Sequence, residues 1–203
     1  ETITFFTRVS IVEFLFTKDW NPTGSDPKYG IWALVIGTLK ITVIATIVAV
    51  PIGLGAAIYL SEYASDKARR IIKPILEILA GIPTIVFGFF ALTFVTPVLR
   101  TIIPALDSFN SVSPGIVVGI MIVPVITSMS EDAMASVPNK IREGAYGLGS
   151  TKFEVATKVV LPAAASGVVA SIVLGISRAI GETMIVSLAA GSSPTASLNL
   201  TNS

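Results

Sequence analysis

Four long apolar stretches, at Ile31–Leu60, Pro74–Leu99, Pro114–Ser136 and Pro162–Ala190, leave this chain very few folds to choose from. Each holds the roughly 20 mostly apolar residues that a helix needs to cross the hydrocarbon of a bilayer. No water pairs there with backbone N–H and C=O groups, so a crossing segment closes its own hydrogen bonds as a helix or joins a sealed barrel. Barrel strands alternate apolar and polar residues at period two. These runs are continuous, which predicts an all-α, polytopic membrane protein. Composition agrees, with 52% hydrophobic and 13% charged residues and a mean hydropathy of +0.81. The first run exceeds one crossing, so tilt or an extension into water is expected. Pro51, Pro83 and Pro124 fall inside the runs, where local kinks are expected.

What the chain lacks excludes several chemistries. It contains neither Cys nor His, which removes thiol nucleophiles, disulfides, most zinc sites and the commonest general base. A net charge of +1 gives no reason to expect nucleic acid as a partner. The chain opens on Glu1 without a long apolar core in its first twenty residues, so no signal peptide is expected, and the numbering reads as part of a longer protein. The Asn199-Leu200-Thr201 sequon is read as a chance match.

Connector charge sets the direction of the spans. Ser61–Lys73 carries Lys67, Arg69, Arg70 and Lys73, and Val137–Leu161 carries Lys140, Arg142, Lys152 and Lys158. The connector Arg100–Ser113 offers only Arg100, and the tail after Ala190 has no basic residue. The positive-inside rule places the two basic loops in the cytoplasm. Residues 1–30 then form an extracytoplasmic or interfacial segment, 31–190 the four-span domain with its cytoplasmic loop 137–161, and 191–203 an extracytoplasmic loop. In the first segment, Ile11–Phe16 predicts a short interfacial helix, Asn21-Pro22-Thr23-Gly24 a turn, and Trp20, Tyr29 and Trp32 an aromatic belt.

The loop has its own pattern. Ile141, Ala145 and Leu148 recur at helical spacing and predict a short helix with one apolar face. Gly149 is expected to end it in a sharp turn. A second helix is predicted over Lys152–Val160, capped by Ser150 or Thr151, with Phe153, Ala156 and Val160 on one side. Pro162 suits the first turn of the following span.

The same residues carry a resemblance. Glu143, Gly144 and Ala145, then Gly149 after a three-residue gap, then Val159, Leu161 and Pro162, resemble the E-A-A-x3-G-x9-I-x-L-P motif of permeases of ATP-binding cassette (ABC) importers. Gly144 stands for the first Ala of that motif and Val159 for its Ile. The resemblance implies a type I importer permease (MetI-like) fold. It implies that Glu143, Gly144, Ala145, Leu148, Gly149, Leu161 and Pro162 form the helix and turn that plug into a cytoplasmic ATPase. No phosphate-cradling G-x4-G-K-[ST] loop is present, so that ATPase is expected to be a separate chain.

Charges inside the spans need partners or water. Arg178 and Glu182 stand i, i+4 in the last run, which predicts a shared helix face on which they can pair. Arg178 lies sixteen residues past Pro162, about 24 Å along a helix and toward the outer half. Glu77 is expected to snorkel or to pair with Arg70 or Lys73. Glu131 and Asp132 read as interfacial, because adjacent helical positions point about 100° apart and do not converge. Gly167, Ala170, Gly175 and Ala179 read as a close-packing stripe. Lys40 receives no role.

A second resemblance narrows the first. Arg178-Ala179-Ile180-Gly181-Glu182-Thr183 is similar to the R-A-x-G-E-T of phosphate-specific permeases, the PstC and PstA type. Leu79–Gly88, LAGIPTIVFG, is similar to their L-A-G-I-P-S-V-V-Y-G, and Phe14–Pro22 resembles the PstC region before its second span. This implies a permease for inorganic phosphate with Arg178, Glu182 and Thr183 in the pathway or gate. An Arg fork suits a tetrahedral oxyanion, whereas Glu182 would repel one and is expected to hold or release Arg178.

The resemblance further implies six spans, four of them here, in a plasma (cell inner) membrane. The implied partners are a related second permease (PstA-like), two ATPase subunits (PstB-like) that carry ATP and Mg, and an external phosphate-binding protein (PstS-like). This chain itself is expected to bind no cofactor and no metal, and to catalyse no reaction. Permeases for sulfate or molybdate remain as alternatives, as does a transporter driven by an ion gradient.

Overall fold

The computed structural model describes residues 5–6, 9–17, 20–21 and 27–191. Of the turn expected at Asn21-Pro22-Thr23-Gly24 all but Asn21 lies outside them, as do the tail after Gly191 and the Asn199 sequon. The described chain is helical apart from one antiparallel ladder of two residues per strand. Helix α1 (Ile11–Phe16) is the short helix that the apolar patch predicts. Strands β1 (Trp20–Asn21) and β2 (Lys28–Tyr29) follow, with Trp20 opposite Tyr29 and their rings edge to face at 6.3 Å.

Helix α2 (Ile31–Ile58) runs through Pro51 and continues as a wider π turn to Tyr63, so that Ile31–Tyr63 is one apolar rod of 33 residues. At 1.5 Å per residue this exceeds a bilayer core, as the long run anticipates. Helix α3 (Asp66–Ala80) is separate. A span then forms from α4 (Thr84–Phe90), a π turn (Ala91–Val95) and α5 (Thr96–Ile102). Helix α6 (Val112–Ala135), crossing Pro124, lies within two residues of the predicted third span.

The predicted second span is therefore corrected. It starts at Thr84, not Pro74, because Gly81 caps α3 and Pro83 becomes the N-cap of α4. Proline has no N–H to give a continuing helix and keeps Ile82 out of the helical region. Pro83 divides two helices; it does not kink one.

The last stretch is also corrected. Helix α7 (Asn139–Gly147) and α8 (Lys152–Glu154) lead through a π turn (Val155–Val160) to α9 (Leu161–Ala163), which holds Pro162. Helix α10 (Ala165–Ile180) leaves that segment at 76°, and α11 (Met184–Ala189) follows Gly181. Pro162–Ala190 is thus three helical pieces, and α10 alone is about 24 Å long.

The contacts divide the chain into two compact units, with boundaries inside α2 after Ile44 and inside α6 after Val118. One unit comprises Glu1–Ile44, Pro83–Val118 and Glu182–Ser203. In it α11 packs on α4 so closely that a Cβ on Gly88 would meet Leu188 Cδ1 at 2.8 Å. Its buried Thr96 hydroxyl donates to Ser113 Oγ at 2.9 Å, and fully buried Asn110 accepts from the Ser113 N–H in the first turn of α6.

The other unit comprises Ala45–Ile82 and Gly119–Gly181. Its core is Ala57, Met134, Val137, Val155, Val160, Ala164 and Val168. Small residues bring the helices together here: a Cβ on Gly167 would stand 2.5 Å from Ala133 Cβ, and one on Gly175 2.9 Å from Ile126 Cγ1. Ala179 is buried as the stripe predicts, but Ala170 is exposed.

Candidate functional site

The loop 137–161 is built as two helices hinged on a glycine. Helix α7 closes with a Schellman pair: Ser150 N–H donates to Ala145 O at 3.2 Å and Gly149 N–H to Tyr146 O at 2.9 Å. That closure needs a left-handed residue, and Gly149 has φ +83°. Thr151 then caps α8 in a full capping box, accepting from Glu154 N–H while the Glu154 carboxylate accepts from Thr151 N–H. Of the two expected caps, Thr151 is the one used.

This loop presents apolar side chains outward. Leu148 is 89% exposed and Phe153 68%, and Ile141 and Tyr146 are exposed beside Glu143 and Gly144. The expected grouping of Phe153 with Ala156 and Val160 fails, since Ala156 and Val160 are buried and Phe153 is not. The π turn Val155–Val160 changes the register after Glu154, so a spacing of 3.6 no longer holds. Leu161 is half-buried and Pro162 exposed.

Beneath the loop lies a charged framework that spacing alone did not expose. Arg142 Nη2 donates to Glu62 Oε1 at 2.9 Å and to Met134 O at 2.8 Å, and its Nε lies 3.2 Å from the same Glu62 oxygen. Its Nη1 donates to Val137 O and, at 3.4 Å, to Asn139 Oδ1. Arg69 reaches Leu60 O at 3.1 Å and Glu131 Oε1 at 3.1 Å. Both arginines therefore cover backbone carbonyls left over at helix C-termini, where a cation is favoured.

Lys73 Nζ sits 2.8 Å from Glu131 and 2.7 Å from Asp132. The two neighbouring carboxylates thus do converge, on one flexible ammonium, and Glu131 is buried. Their hydrogen bonds, Asp132 first and Glu131 second, hold Lys73 above the ordinary lysine range. Its contribution is complete at neutral pH and is lost only as pH rises through that raised value. Lys73 is therefore not the partner of Glu77, which is exposed in the last turns of α3 and has no ion pair among the described residues.

The helical spacing behind the Arg178–Glu182 expectation does not hold. Helix α10 stops at Ile180, so the two do not share a face. Glu182 instead turns onto the start of α11, accepting from Met184 N–H at 3.0 Å and Ile185 N–H at 3.2 Å. Those donors have no partner within a first helical turn, which explains the preference. Arg178 is exposed and reaches Ala80 O at 3.5 Å, the limit of a hydrogen bond. The contact joins RAIGET to the last residue of α3, inside LAGIPT. Thr183 is exposed at the entry to α11, and Lys40 is buried within α2.

The family profile described as "Binding-protein-dependent transport system inner membrane component" matches residues 49–202, a range that takes in the whole loop and its framework. The chain belongs to that family. Relatives within it include a probable ABC transporter permease protein YqgH of Bacillus subtilis, 39% identical over 183 residues, covering 90% of this chain and 59% of the relative. The phosphate transport system permease protein PstC of Xylella fastidiosa (strain 9a5c) is 36% identical over 201 residues, covering 90% and 61%. That of Pasteurella multocida is 39% identical over 197 residues, covering 88% and 61%. The chain thus spans about three fifths of the length of these relatives.

Among solved structures, the inward-facing MetNI methionine ABC transporter matches with a TM-score of 0.64 and 24% identity, covering 74% of this chain and 71% of that one. The MetI-like fold is thereby established. As an inner membrane component of this family, the protein has, among the described residues, three helices long and apolar enough to cross a bilayer, Ile31–Tyr63, Thr84–Ile102 and Val112–Ala135. A fourth crossing passes only as the bent pair Lys152–Ala163 and Ala165–Ile180.

Proposed function

We propose that this chain is the transmembrane permease subunit of an ATP-driven importer of inorganic phosphate. It forms part of the translocation pathway and is driven through residues 143–162 by a separate ATPase. The observation that carries the coupling reading is the exposure of Leu148 at 89% and Phe153 at 68% on a rigidly capped loop. Large apolar side chains held outward on ordered backbone favour a protein partner, and an amphipathic helix in a partner groove is a common recognition mode. Glu143, Gly144, Ala145 and Gly149 lie on the same stretch and complete that contact. Leu161 and Pro162 pass its movement into α10.

Cargo is read from the phosphate transport relatives and from Arg178. An exposed guanidinium with one long hydrogen bond retains donors for an oxyanion. Glu182 and Thr183, at the start of α11, are the other pathway or gate residues on this reading. The chain catalyses no reaction; ATP and Mg belong to PstB-like subunits, and a PstA-like permease and a PstS-like binding protein complete the importer. A sulfate or molybdate permease is the second reading, favoured by the same Arg chemistry and by the generic name of the Bacillus relative.

Two measurements test the proposal. Co-purification of the ATPase with the full-length permease should be lost on Glu143→Ala with Gly149→Val; retention overturns the coupling reading. Uptake of labelled phosphate should be competed by phosphate and not by sulfate or molybdate; the reverse overturns the cargo.

A further inference from the structure

Helix α7 packs on Val155–Val160, but few of its own side chains reach into the rest of its unit. None of its nine residues is buried, and only Arg142 and Ala145 are even half-buried. Ala145 offers a single methyl to the core. Arg142 offers a guanidinium bonded to Glu62 at the end of the α2 rod and to the Met134 and Val137 carbonyls at the end of α6. Its partner Glu62 is buried, at 4% side-chain exposure, and also accepts from Ser61 Oγ at 3.0 Å.

We propose that Arg142, anchored on Glu62, is the positioning residue that transmits loop movement to the membrane helices. The inference rests on the reading of the loop as the ATPase contact and names the load path behind it. A force on the exposed face of α7 reaches α2 and α6 through a planar fork that bonds both ends at once. Arg suits this role because its donors are fixed in one plane, while a lysine ammonium is a single point on a flexible stem. Breaking the fork leaves α7 tethered by its flanking turns and its packing on Val155–Val160, so its movement no longer reaches α2 and α6. ATP hydrolysis and transport then separate.

The test uses the complete importer with the full-length chain in proteoliposomes, measuring phosphate uptake and ATP hydrolysis on the same vesicles. Arg142→Gln and Glu62→Gln should retain the ATPase yet lower phosphate moved per ATP by about tenfold, the scale of a typical coupling term. Arg142→Lys should recover only part of that ratio, because one ammonium does not bond both helix ends at once. An unchanged ratio in Arg142→Gln overturns the proposal, and so does a loss of uptake that merely tracks the amount of assembled complex.

Should the single variants fail to assemble, Glu62→Cys with Arg142→Cys supplies the decision, because the chain has no other cysteine. Joining that pair with a short bis-maleimide should raise the ratio; no change on cross-linking overturns the proposal. Failure of the underlying reading looks different: the ATPase then stays bound when Glu143 and Gly149 are disrupted, whatever Arg142 does. If the importer moves another oxyanion, the ratio is taken with that oxyanion and the clamp is judged unchanged.

Discussion

The charges at the base of the loop and those at the end of α10 are used in opposite ways. At the base, Glu62 and Glu131 are buried and each carboxylate is met by arginine or lysine, while the arginines also cover helix-end carbonyls. At the end of α10, Arg178 is exposed with one long contact, and Glu182 spends its oxygen on backbone N–H groups. Buried charge survives when it is paired and hydrogen-bonded, and of the framework's buried side-chain atoms among the described residues only Arg69 Nε lacks a partner, so the base behaves as structure. On the proposed reading, an exposed arginine with donors to spare serves transient contact with an anion.

That contrast predicts a graded set of outcomes. Arg178→Gln keeps a donor for Ala80 but removes the charge, so assembly should persist while uptake falls to background; full uptake in that variant would place Arg178 with the structural charges. Glu131→Ala should act in the reverse sense, costing roughly 2–4 kcal/mol of stability, less than a fully buried pair because Arg69 and Lys73 remain about a third exposed. Thermal unfolding of the purified permease would read it, and an unchanged midpoint would remove the base from the framework.

Gly167→Val tests whether the helices behind that base are as close as their geometry demands. A Cβ there falls 2.5 Å from Ala133 Cβ, and overpacking of this kind costs about 1–3 kcal/mol. Gly144→Ala is the smallest change. Nothing stands within 4 Å of its Cβ position, so the helix-propensity gain of up to about 1 kcal/mol should appear as a slightly higher midpoint with coupling intact. A fall in ATPase binding there would show that the partner needs the bare backbone.

The loop was largely legible beforehand because its signals are local. Gly149, Thr151 and the helical spacing of Ile141 and Ala145 each act within a turn or two of the backbone, where chain position and spatial position coincide. Pro83 was visible too, but its role was not: a proline inside an apolar run reads equally as a kink or as a boundary, and here Gly81 beside it decided for a boundary. The Arg178–Glu182 pair misled for a related reason. The spacing i, i+4 implies contact only while the helix continues, and α10 ends between the two residues.

What the order of residues determined by itself was the class of solvent and the class of fold. Long uninterrupted apolar runs can satisfy their backbone in a bilayer only as helices, whatever else surrounds them. Which charges are structural was decided by the fold alone. Glu62 and Arg142 stand eighty positions apart, and Lys73 stands fifty-eight from Glu131. No periodicity links such positions; only the packing of helix ends, which leaves buried carbonyls and carboxylates to be covered, brings those cations to them.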